Sequence, residues 1–517
     1  MQLREHADEL INNDQAGFIP KRSIFNHIRL AKAIISYAEI VEGDGAIIAL
    51  DQEKAYDRIQ HDYLWRILET FQIPTPFIKT VKALYTHAYT RVAINGVLST
   101  PFRVTRGVRQ GDPLSCLLFD LAIEPLACLI RKCPDIRGLD IPCLIDKLVI
   151  KLFADDTNLY LSKHDHLDIV QQILDTWCKA SGAKFNIEKT EVIPIGSTEY
   201  RQSVITTRKI NPEDQTPLPN RIRIAQDGEA VRMLGAWIGN NAEDQAPWEP
   251  IIDRVKEHLR RWNKIHPTLE GKSLIIQAFA GGLTQFPTQV QGMPPHIETA
   301  LHKVISDFIW DDGRGPRITM DLLHHPKEVG GLNILDIKAR NEAIDLMWLK
   351  TYLDFSPNQQ PWAAITDLII NAAAPKITVT QARENPFLQC WNAPARGSRD
   401  VPFNDDIRRM LKVAKTHHTN LAAVKPSIRL RKELPAWYHI DDKPSKLDSI
   451  TAKCLLDKHK VSSVTDLVNM SARIRSHHHT NTHRPYPFCL CQDCLNDREK
   501  GCGHQEKPPG LTTANNV

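Results

Sequence analysis

The sequence predicts an α+β fold, in which helices pack on one face of an antiparallel sheet and a helical region follows. The apolar run 45–50 is long enough for one buried strand. Two runs of β-forming residues, 148–152 and 157–161, flank residues 153–156 and predict a tight hairpin. Apolar side chains then recur at helical spacing from Ile251 to Phe308.

The other elements follow from local patterns along the chain. Asn95 and Gly96 are expected at the turn of a hairpin over 90–97. Segment 197–229 is polar and aperiodic, with prolines, and is expected to be a surface insertion. The remaining expectations are the end of an amphipathic helix at 1–14, helices at 23–41, 63–71, up to 85 and at 165–180, a strand-rich return at 184–195 and a hairpin at 232–239.

Composition sets broad bounds on the class of protein. The 517 residues suggest three or so domains. With 65 Lys and Arg against 61 Asp and Glu, the net charge of +4 does not by itself indicate a polyanionic partner. No apolar run approaches the length of a membrane span, and the 11 cysteines fit reduced thiols, so we expect a soluble intracellular protein with no membrane partner.

Three carboxylates form the first candidate site. Asp155 and Asp156 lie at the expected hairpin tip, and Asp51 ends the strand 45–50. Alone, the pair reads as a solvated turn and Asp51 as a helix N-cap. Together they match the layout of a two-metal phosphoryl-transfer site, because oxygen ligands suit Mg²⁺ or Mn²⁺.

A glycine-punctuated loop, 106–115, lies between these carboxylates in the chain. Asp112 suits a helix N-cap and Pro113 the first helical position. Glycines in such a loop allow close approach of the backbone to a ligand. As a bare pattern the loop could be any loop-to-helix junction. Its position in the chain, between Asp51 and Asp155, is what makes it a candidate part of the site.

Six motifs in order, at 15–20, 50–57, 109–115, 153–156, 182–190 and 234–239, resemble the reverse transcriptase of non-LTR (LINE-type) retrotransposons. The resemblance implies a right-hand polymerase palm with partial fingers at 1–245 and a helical thumb at 246–350. A helical, partly basic region at 351–484 follows. The finger strands upstream of residue 15 are missing, so the chain is expected to be an N-terminally truncated piece of a polyprotein.

The resemblance also implies site roles. Asp51, Asp155 and Asp156 would hold Mg²⁺ or Mn²⁺ in an RNA-directed DNA polymerase that uses an RNA template, a DNA primer or target and dNTPs. Tyr56 would block the sugar 2′-hydroxyl, and Lys189 would lie near the leaving pyrophosphate, with a solvated lysine as the alternative.

Gln110 and Gly111 match the loop that supports the template and the incoming base pair. The family acts as a nuclear or cytoplasmic ribonucleoprotein. An alternative function is a catalytically inactive, reverse-transcriptase-derived fragment that binds RNA or DNA. A flavodoxin-like phosphoacceptor is disfavoured by the hairpin context of the two aspartates.

A second candidate site lies near the end of the sequence, in a predicted zinc knuckle at 485–507. Thiol and imidazole ligands at this density suit Zn²⁺, with scattered free thiols as the alternative. The tail 508–517 is expected to be disordered. The five candidate ligands are Cys489, Cys491, Cys494, Cys502 and His504.

Basic residues mark a third feature, in the expected thumb. They give its outer face the capacity to bind phosphates, or they form an ordinary solvated helix face. These residues are Arg254, Lys256, Arg260, Arg261 and Lys264.

Overall fold

The computed structural model describes residues 2–242, 248–310, 318–354, 359–373, 403–417, 450–476 and 492–502, with isolated positions between 401 and 490. The chain divides into two compact units. The first comprises Met1–Ile344 and Asp354–Ile365, and the second comprises Asp345–Leu353 and Thr366–Val517. No helix among the described residues is long and apolar enough to cross a membrane.

A five-stranded sheet forms the centre of the first unit. Its spatial order is β6-β7-β1-β8-β9, where β1 is Gly45–Gln52, β6 Ile150–Phe153, β7 Asp156–Ser162, β8 Phe185–Ile195 and β9 Arg223–Ile224. β1 pairs antiparallel with both β7 and β8, and β9 adds to β8 in parallel. Ala46 and Ile47 of β1 are fully buried, as the apolar run predicts.

Helices pack against this sheet around one hydrophobic core. They are α1 Gln2–Glu5, α2 Ala7–Leu10, α3 Ile24–Val41, α4 Ala55–Arg58, α5 His61–Thr70, α6 Thr75–Thr86, α7 Ser115–Lys132, α8 Leu167–Ser181 and α9 Thr198–Thr207. The indole of Trp177 in α8 donates to the hydroxyl of Tyr63 in α5 at 3.0 Å and to the carbonyl of Ala122 in α7 at 3.2 Å. These bonds join three helices at one buried point, and the α+β prediction is confirmed.

Short strands complete the first half of the chain. They are β2 Tyr89–Thr90, β3 Ala93–Ile94, β4 Val97–Leu98, β5 Phe102–Arg103, β10 Val231–Met233 and β11 Ala236–Ile238. Asn95 and Gly96 have φ angles of 47° and 82° and connect β3 to β4. Positive φ at both positions is the requirement of a type I′ turn, so the predicted hairpin is confirmed.

Two local expectations are wrong. Segment 197–229 contains α9 and β9, because Tyr200, Arg201 and Val204 give it a buried face at helical spacing. Arg201 is buried because its guanidinium pairs with Asp227 at 2.7 Å, which a hydropathy pattern does not register. Asp112 closes the turn before α7, accepting from the Leu114 amide at 2.9 Å, and the N-cap itself is Leu114.

A second group of helices in the first unit encloses its own core. They are α10 Trp248–Asn263, α11 Leu269–Ile275, a π-helical segment Ile276–Gly281, α12 Gly282–Gln291, α13 Pro295–Trp310 and α14 Met320–His324, with a 3₁₀ turn at Lys327–Val329. The buried face of α10 carries Ile252, Val255 and Leu259, as the spacing predicts.

The basic residues of α10 are largely paired along their own helix. Arg260 and Arg261 both contact Glu257, at 2.9 and 2.7 Å, and Lys256 contacts Asp253 at 3.2 Å. Exposed pairs of this kind contribute little stability, and they reduce the positive charge offered to phosphates. The pairing favours the solvated-face interpretation for these three cations.

The later helices are α15 Ile337–Tyr352, α16 Pro361–Ala373, α17 Asp405–Thr416, α18 Ile450–Asp457, α19 Val464–Ser476 and α20 Gln492–Glu499. Within the second unit, α17 begins with Asn404, whose side chain accepts from the Ile407 amide at 3.0 Å. A small core there consists of Ala436, Val461 and Leu467. The tail 508–517 lies outside the described residues.

Candidate functional site

The hairpin between β6 and β7 carries the adjacent carboxylates. Phe153 pairs with Asp156, so Ala154 and Asp155 form a two-residue turn. Ala154 has a φ of 52°, in the left-handed region that such turns require. Asp155 is half-buried, and Asp156 is exposed as the first residue of β7.

The third carboxylate, Asp51, lies beside this turn. Leu50 pairs with Thr157, which places the end of β1 next to the first residues of β7. On the other side, the register between β1 and β8 shifts between Ala49 and Asp51. The antiparallel pairing of β1 with β7 therefore brings Asp51 to the end of the sheet where the β6–β7 turn carries Asp155 and Asp156.

Burial, and then the repulsion between the negative charges of the three carboxylates, raises the pKa values of Asp155 and Asp156. Burial, and then the negative charge of Asp51, raises the pKa of Asp155. Loss of hydration, followed by the charges of Asp155 and Asp51, raises the pKa of Asp156 to about 6, although much of this residue faces solvent. Their oxygens do not all lie within 4.8 Å of one another. A cluster of oxygen ligands with this mutual repulsion fits a divalent cation.

Lys189 lies at the same end of the sheet. Its ammonium nitrogen is 3.6 Å from Oδ2 of Asp51, with side chains 68% and 39% exposed. An exposed pair of this length contributes little to stability. The structure thus brings the predicted lysine to the carboxylates on a side chain that is free to move.

Gln15 holds the turn in place from outside the hairpin. Its side chain is completely buried, and Oε1 accepts from the amides of Gly17 at 2.7 Å and Ala154 at 2.9 Å. Its Nε2 donates to the carbonyl of Ala154 at 3.3 Å. One amide side chain thereby satisfies both backbone groups of Ala154, 139 residues later in the chain.

Two further residues support the same turn. Gln52, at the end of β1, donates from Nε2 to the carbonyl of Asp155 at 3.2 Å. A Cβ atom on Gly17 would lie 2.4 Å from the backbone nitrogen of Ala154, so only glycine fits there. The turn that carries Asp155 therefore has its backbone fixed by two other segments of the chain, residues 15–17 and Gln52.

Tyr56 follows Asp51 in α4. Its ring stacks on Phe119 of α7, with centroids 4.8 Å apart and an interplanar angle of 12°. Burial, and then the neighbouring Cys116 thiol and Asp120 carboxyl, raises the pKa of the Tyr56 hydroxyl. The ring is held rigidly beside the acidic end of the sheet.

The glycine loop packs against the same helix. The Val108 amide donates to the Tyr56 carbonyl at 2.7 Å. Gly107 has a φ of +84°, and a Cβ atom there would lie 2.8 Å from the backbone of Asp57. Gln110 and Gly111 are exposed, and Gly111 has a φ of +85° with open space around its Cβ position. Gly107 thus serves packing, while Gly111 serves the turn conformation.

The predicted zinc ligands are only partly described. Cys489, Cys491 and His504 lie outside the described residues, as does the side chain of Cys494. Cys502 is described and partly buried.

Sequence reasoning did not identify three residues around the site. Gln15 begins the motif at 15–20, but a glutamine two residues before a glycine carries no local signal of a distant hydrogen bond. Gln52 reads as the end of a strand. Asp120 is buried in α7, with neither oxygen bonded among the described residues, and burial raises its pKa to about 8. An acidic residue inside an apolar helix run was the available signal for Asp120.

Comparison with known proteins gives a consistent family match. Residues 1–237 match the family described as reverse transcriptase (RNA-dependent DNA polymerase). The transposon TX1 uncharacterized 149 kDa protein of Xenopus laevis is 26% identical over 371 residues, covering 71% of this chain and 27% of that protein. The retrovirus-related Pol polyprotein from the type-2 retrotransposable element R2DM of Drosophila melanogaster is 27% identical over 195 residues, covering 37% of this chain and 18% of that protein.

The chain spans about a quarter or less of the length of these curated relatives. Among solved structures, telomerase of Candida tropicalis in complex with a fragment of telomeric RNA overlaps 66% of this chain and 50% of its own. The identity is 13% and the TM-score is 0.26. The ordered motifs and the family match agree: residues 1–237 are similar to the reverse transcriptase family, and the relatives include proteins of the TX1 and R2DM transposable elements.

Proposed function

We propose that this chain is an RNA-directed DNA polymerase of a LINE-type element, which adds dNTPs to a DNA primer on an RNA template. The observation that carries the proposal is the meeting of Asp51, at the end of β1, with Asp155 and Asp156 at a turn fixed by Gln15 and Gln52. In the reaction, the primer 3′-oxygen forms a bond to the α-phosphorus while the bond from that phosphorus to pyrophosphate breaks.

Asp51, Asp155 and Asp156 are the residues that would hold Mg²⁺ or Mn²⁺. When bound, such cations lower the pKa of the attacking hydroxyl and neutralise charge on the leaving pyrophosphate. Burial and then mutual repulsion raise the pKa values of Asp155 and Asp156, which supports this assignment, because a nearby cation favours the charged form of both groups.

Other residues would select and position the substrates. Tyr56 would exclude the ribose 2′-hydroxyl, supported by the rigid stacking of its ring on Phe119. Gln110 and Gly111 would support the template and the incoming base pair from the exposed loop. Lys189 would leave its weak pair with Asp51 to neutralise the pyrophosphate.

The domain assignment is part of the proposal. Residues 1–245 would form the palm with partial fingers, residues 246–350 the thumb, and 351–484 a helical region with basic character. The separate hydrophobic cores of the sheet and of the α10–α13 helices support the first boundary.

Primer extension on an RNA template tests the function. Purified protein with Mg²⁺ and dNTPs should extend a DNA primer, and Asp155→Asn should abolish extension while leaving binding of an RNA–DNA duplex unchanged. Asp175→Asn is the matched control, because this carboxylate is exposed on α8, outside the strands and turn that carry the triad.

Ribonucleotide incorporation tests the role of Tyr56. Tyr56→Ala should raise the use of rNTPs relative to dNTPs, whereas Tyr56→Phe, which keeps the ring, should not.

Duplex binding without any extension by the unaltered protein would contradict the polymerase assignment and favour a nucleic-acid-binding fragment.

A further inference from the structure

Two cysteines and a histidine meet in the second unit, away from the carboxylate site in sequence. A ring nitrogen of His459 and the sulfur atoms of Cys454 and Cys502 all lie within 4.8 Å of one another. The two sulfur atoms are 3.5 Å apart, although 48 residues separate them in the chain. Three soft or borderline ligands at this spacing are typical of a zinc site.

Local structure at the ends of α18 and α20 produces this meeting. Past the end of α18, the amides of Lys458 and His459 both donate to the carbonyl of Cys454, at 3.0 and 3.3 Å. These bonds close a turn that brings the imidazole back beside the thiol five residues earlier.

Past the end of α20, the amide of Cys502 donates to the carbonyl of Asp497 at 2.9 Å. Gly501 adopts the left-handed conformation with a φ of 71°. The ammonium group of Lys458 donates to the carbonyl of Gly501. Both helix ends are therefore tied to one another by a bond that does not involve the candidate ligands.

A carboxylate lies beside the imidazole of His459. Its Nδ1 lies 3.3 Å from Oδ1 of Asp497, and the two side chains are only 6% and 14% exposed. Metal-ligating histidines commonly pair one ring nitrogen with a carboxylate, which fixes the ring and leaves the other nitrogen for the ion. Asp497 is thus placed to support a histidine ligand.

The sulfur separation is too long for a disulfide bond and fits two thiols in contact or two thiolates on one metal ion. Bonded sulfur atoms lie about 2.0 Å apart. Two thiolates each about 2.3 Å from a tetrahedral zinc ion lie about 3.8 Å apart. The observed 3.5 Å is close to the zinc value and far from the disulfide value.

We propose that Cys454, His459 and Cys502 bind a structural Zn²⁺ ion that joins the ends of α18 and α20. Cys502 is the one residue shared with the ligand set expected from the sequence, and Cys454 and His459 are new members. The ion would supply stability that the small core of Ala436, Val461 and Leu467 does not provide. A tetrahedral structural site takes one further protein donor in addition to these three.

Metal content of the full chain, purified without chelator under reducing conditions, tests the proposal. The unaltered protein should retain about one zinc per chain, and Cys454→Ser, His459→Asn and Cys502→Ser should each lose it. Cys128→Ser and Cys178→Ser are matched controls, because these partly buried cysteines lie in α7 and α8. Both controls should keep the metal.

Replacement of zinc by Co²⁺ distinguishes the loss of a metal ligand from the loss of metal through misfolding of the variant. The unaltered protein should show the visible absorption of tetrahedral Co²⁺ with thiolate charge-transfer bands. Cys454→His, which preserves a ligand, should keep the visible bands and lose part of the charge-transfer intensity.

Two results would overturn the proposal. One is full zinc occupancy in both Cys454→Ser and His459→Asn, including the case in which Cys489→Ser or Cys491→Ser removes the metal instead. The other is a disulfide-linked peptide pair containing Cys454 and Cys502 in freshly purified protein alkylated before digestion.

Discussion

Replacement of Asp120 by asparagine probes the buried acid behind Tyr56. Asp120 is fully buried, neither carboxyl oxygen is bonded among the described residues, and burial raises its pKa to about 8 from the ordinary 3.8. In the folded protein the group therefore keeps its proton at neutral pH, whereas in the unfolded chain it loses it above about pH 4. Stability falls with rising pH across this window, because the unfolded state binds fewer protons.

The size of the effect follows from the shift. Each pH unit between about 4 and 8 should reduce the free energy of opening by about 1.4 kcal/mol, to a total of about 6 kcal/mol. Asparagine has the same shape and cannot ionise, so the opening free energy of Asp120→Asn lacks this pH-dependent decrease. The difference in opening free energy between variant and unaltered protein should therefore grow in favour of the variant as pH rises.

Hydrogen-exchange mass spectrometry of α7 peptides measures this local opening energy at several pH values, after correction for the intrinsic exchange rate. Asp175→Asn, at an exposed carboxylate on α8, is the control for the change of one carboxylate to an amide. A flat difference for Asp120→Asn between about pH 5 and pH 7 would refute the reasoning, since it would mean that the buried group ionises as readily as in the unfolded chain.

Three further predictions concern the turn, the loop and the metal ligands. Gln15→Met should lower the melting temperature and primer extension together, because three buried backbone groups lose their partner at about 1–3 kcal/mol each; unchanged extension would separate the turn from catalysis. Gly17→Ala and Gly107→Ala should each destabilise the protein, as their Cβ atoms would lie 2.4 Å and 2.8 Å from backbone atoms, whereas Gly282→Ala, with open space, should be neutral or stabilising in thermal melts. Mn²⁺ affinity, measured by titration calorimetry, should fall by up to about tenfold per unit below about pH 6, where Asp156 takes up a proton; constant affinity from about pH 5 to pH 7 would argue against this ligand.

The triad and its hairpin were predictable from sequence, because strand pattern and turn position are local properties. The run 45–50 and the Asp155–Asp156 tip needed only residues close to them in the chain. The clamp by Gln15 was not predictable, since it depends on a contact across 139 residues that no periodicity encodes.

The same limit explains the other differences. From sequence alone an arginine is expected at the surface, and only the structure shows that Asp227 pairs with the buried Arg201. For this reason α9 was not predicted within the polar segment. Cys454 and His459 lie outside the cysteine-rich segment 485–507, for which the sequence predicts a zinc knuckle. Only the fold brings Cys502 of that segment to them. Sequence patterns predicted elements and ligand types, whereas partners distant in the chain required the structure.

The central position of β1 has a consequence for biosynthesis. The backbone groups on both edges of β1 are hydrogen-bonded only when β8 is available, and β8 ends at Ile195, whereas β1 ends at Gln52. Ribosomes add about 5–20 residues per second, so the intervening stretch of about 140 residues takes roughly 7 to 28 seconds to make. During that interval an aggregation-prone strand waits on the nascent chain for its partners. A host cell with limited chaperone capacity would therefore restrict the yield of this protein before any nucleic acid is encountered.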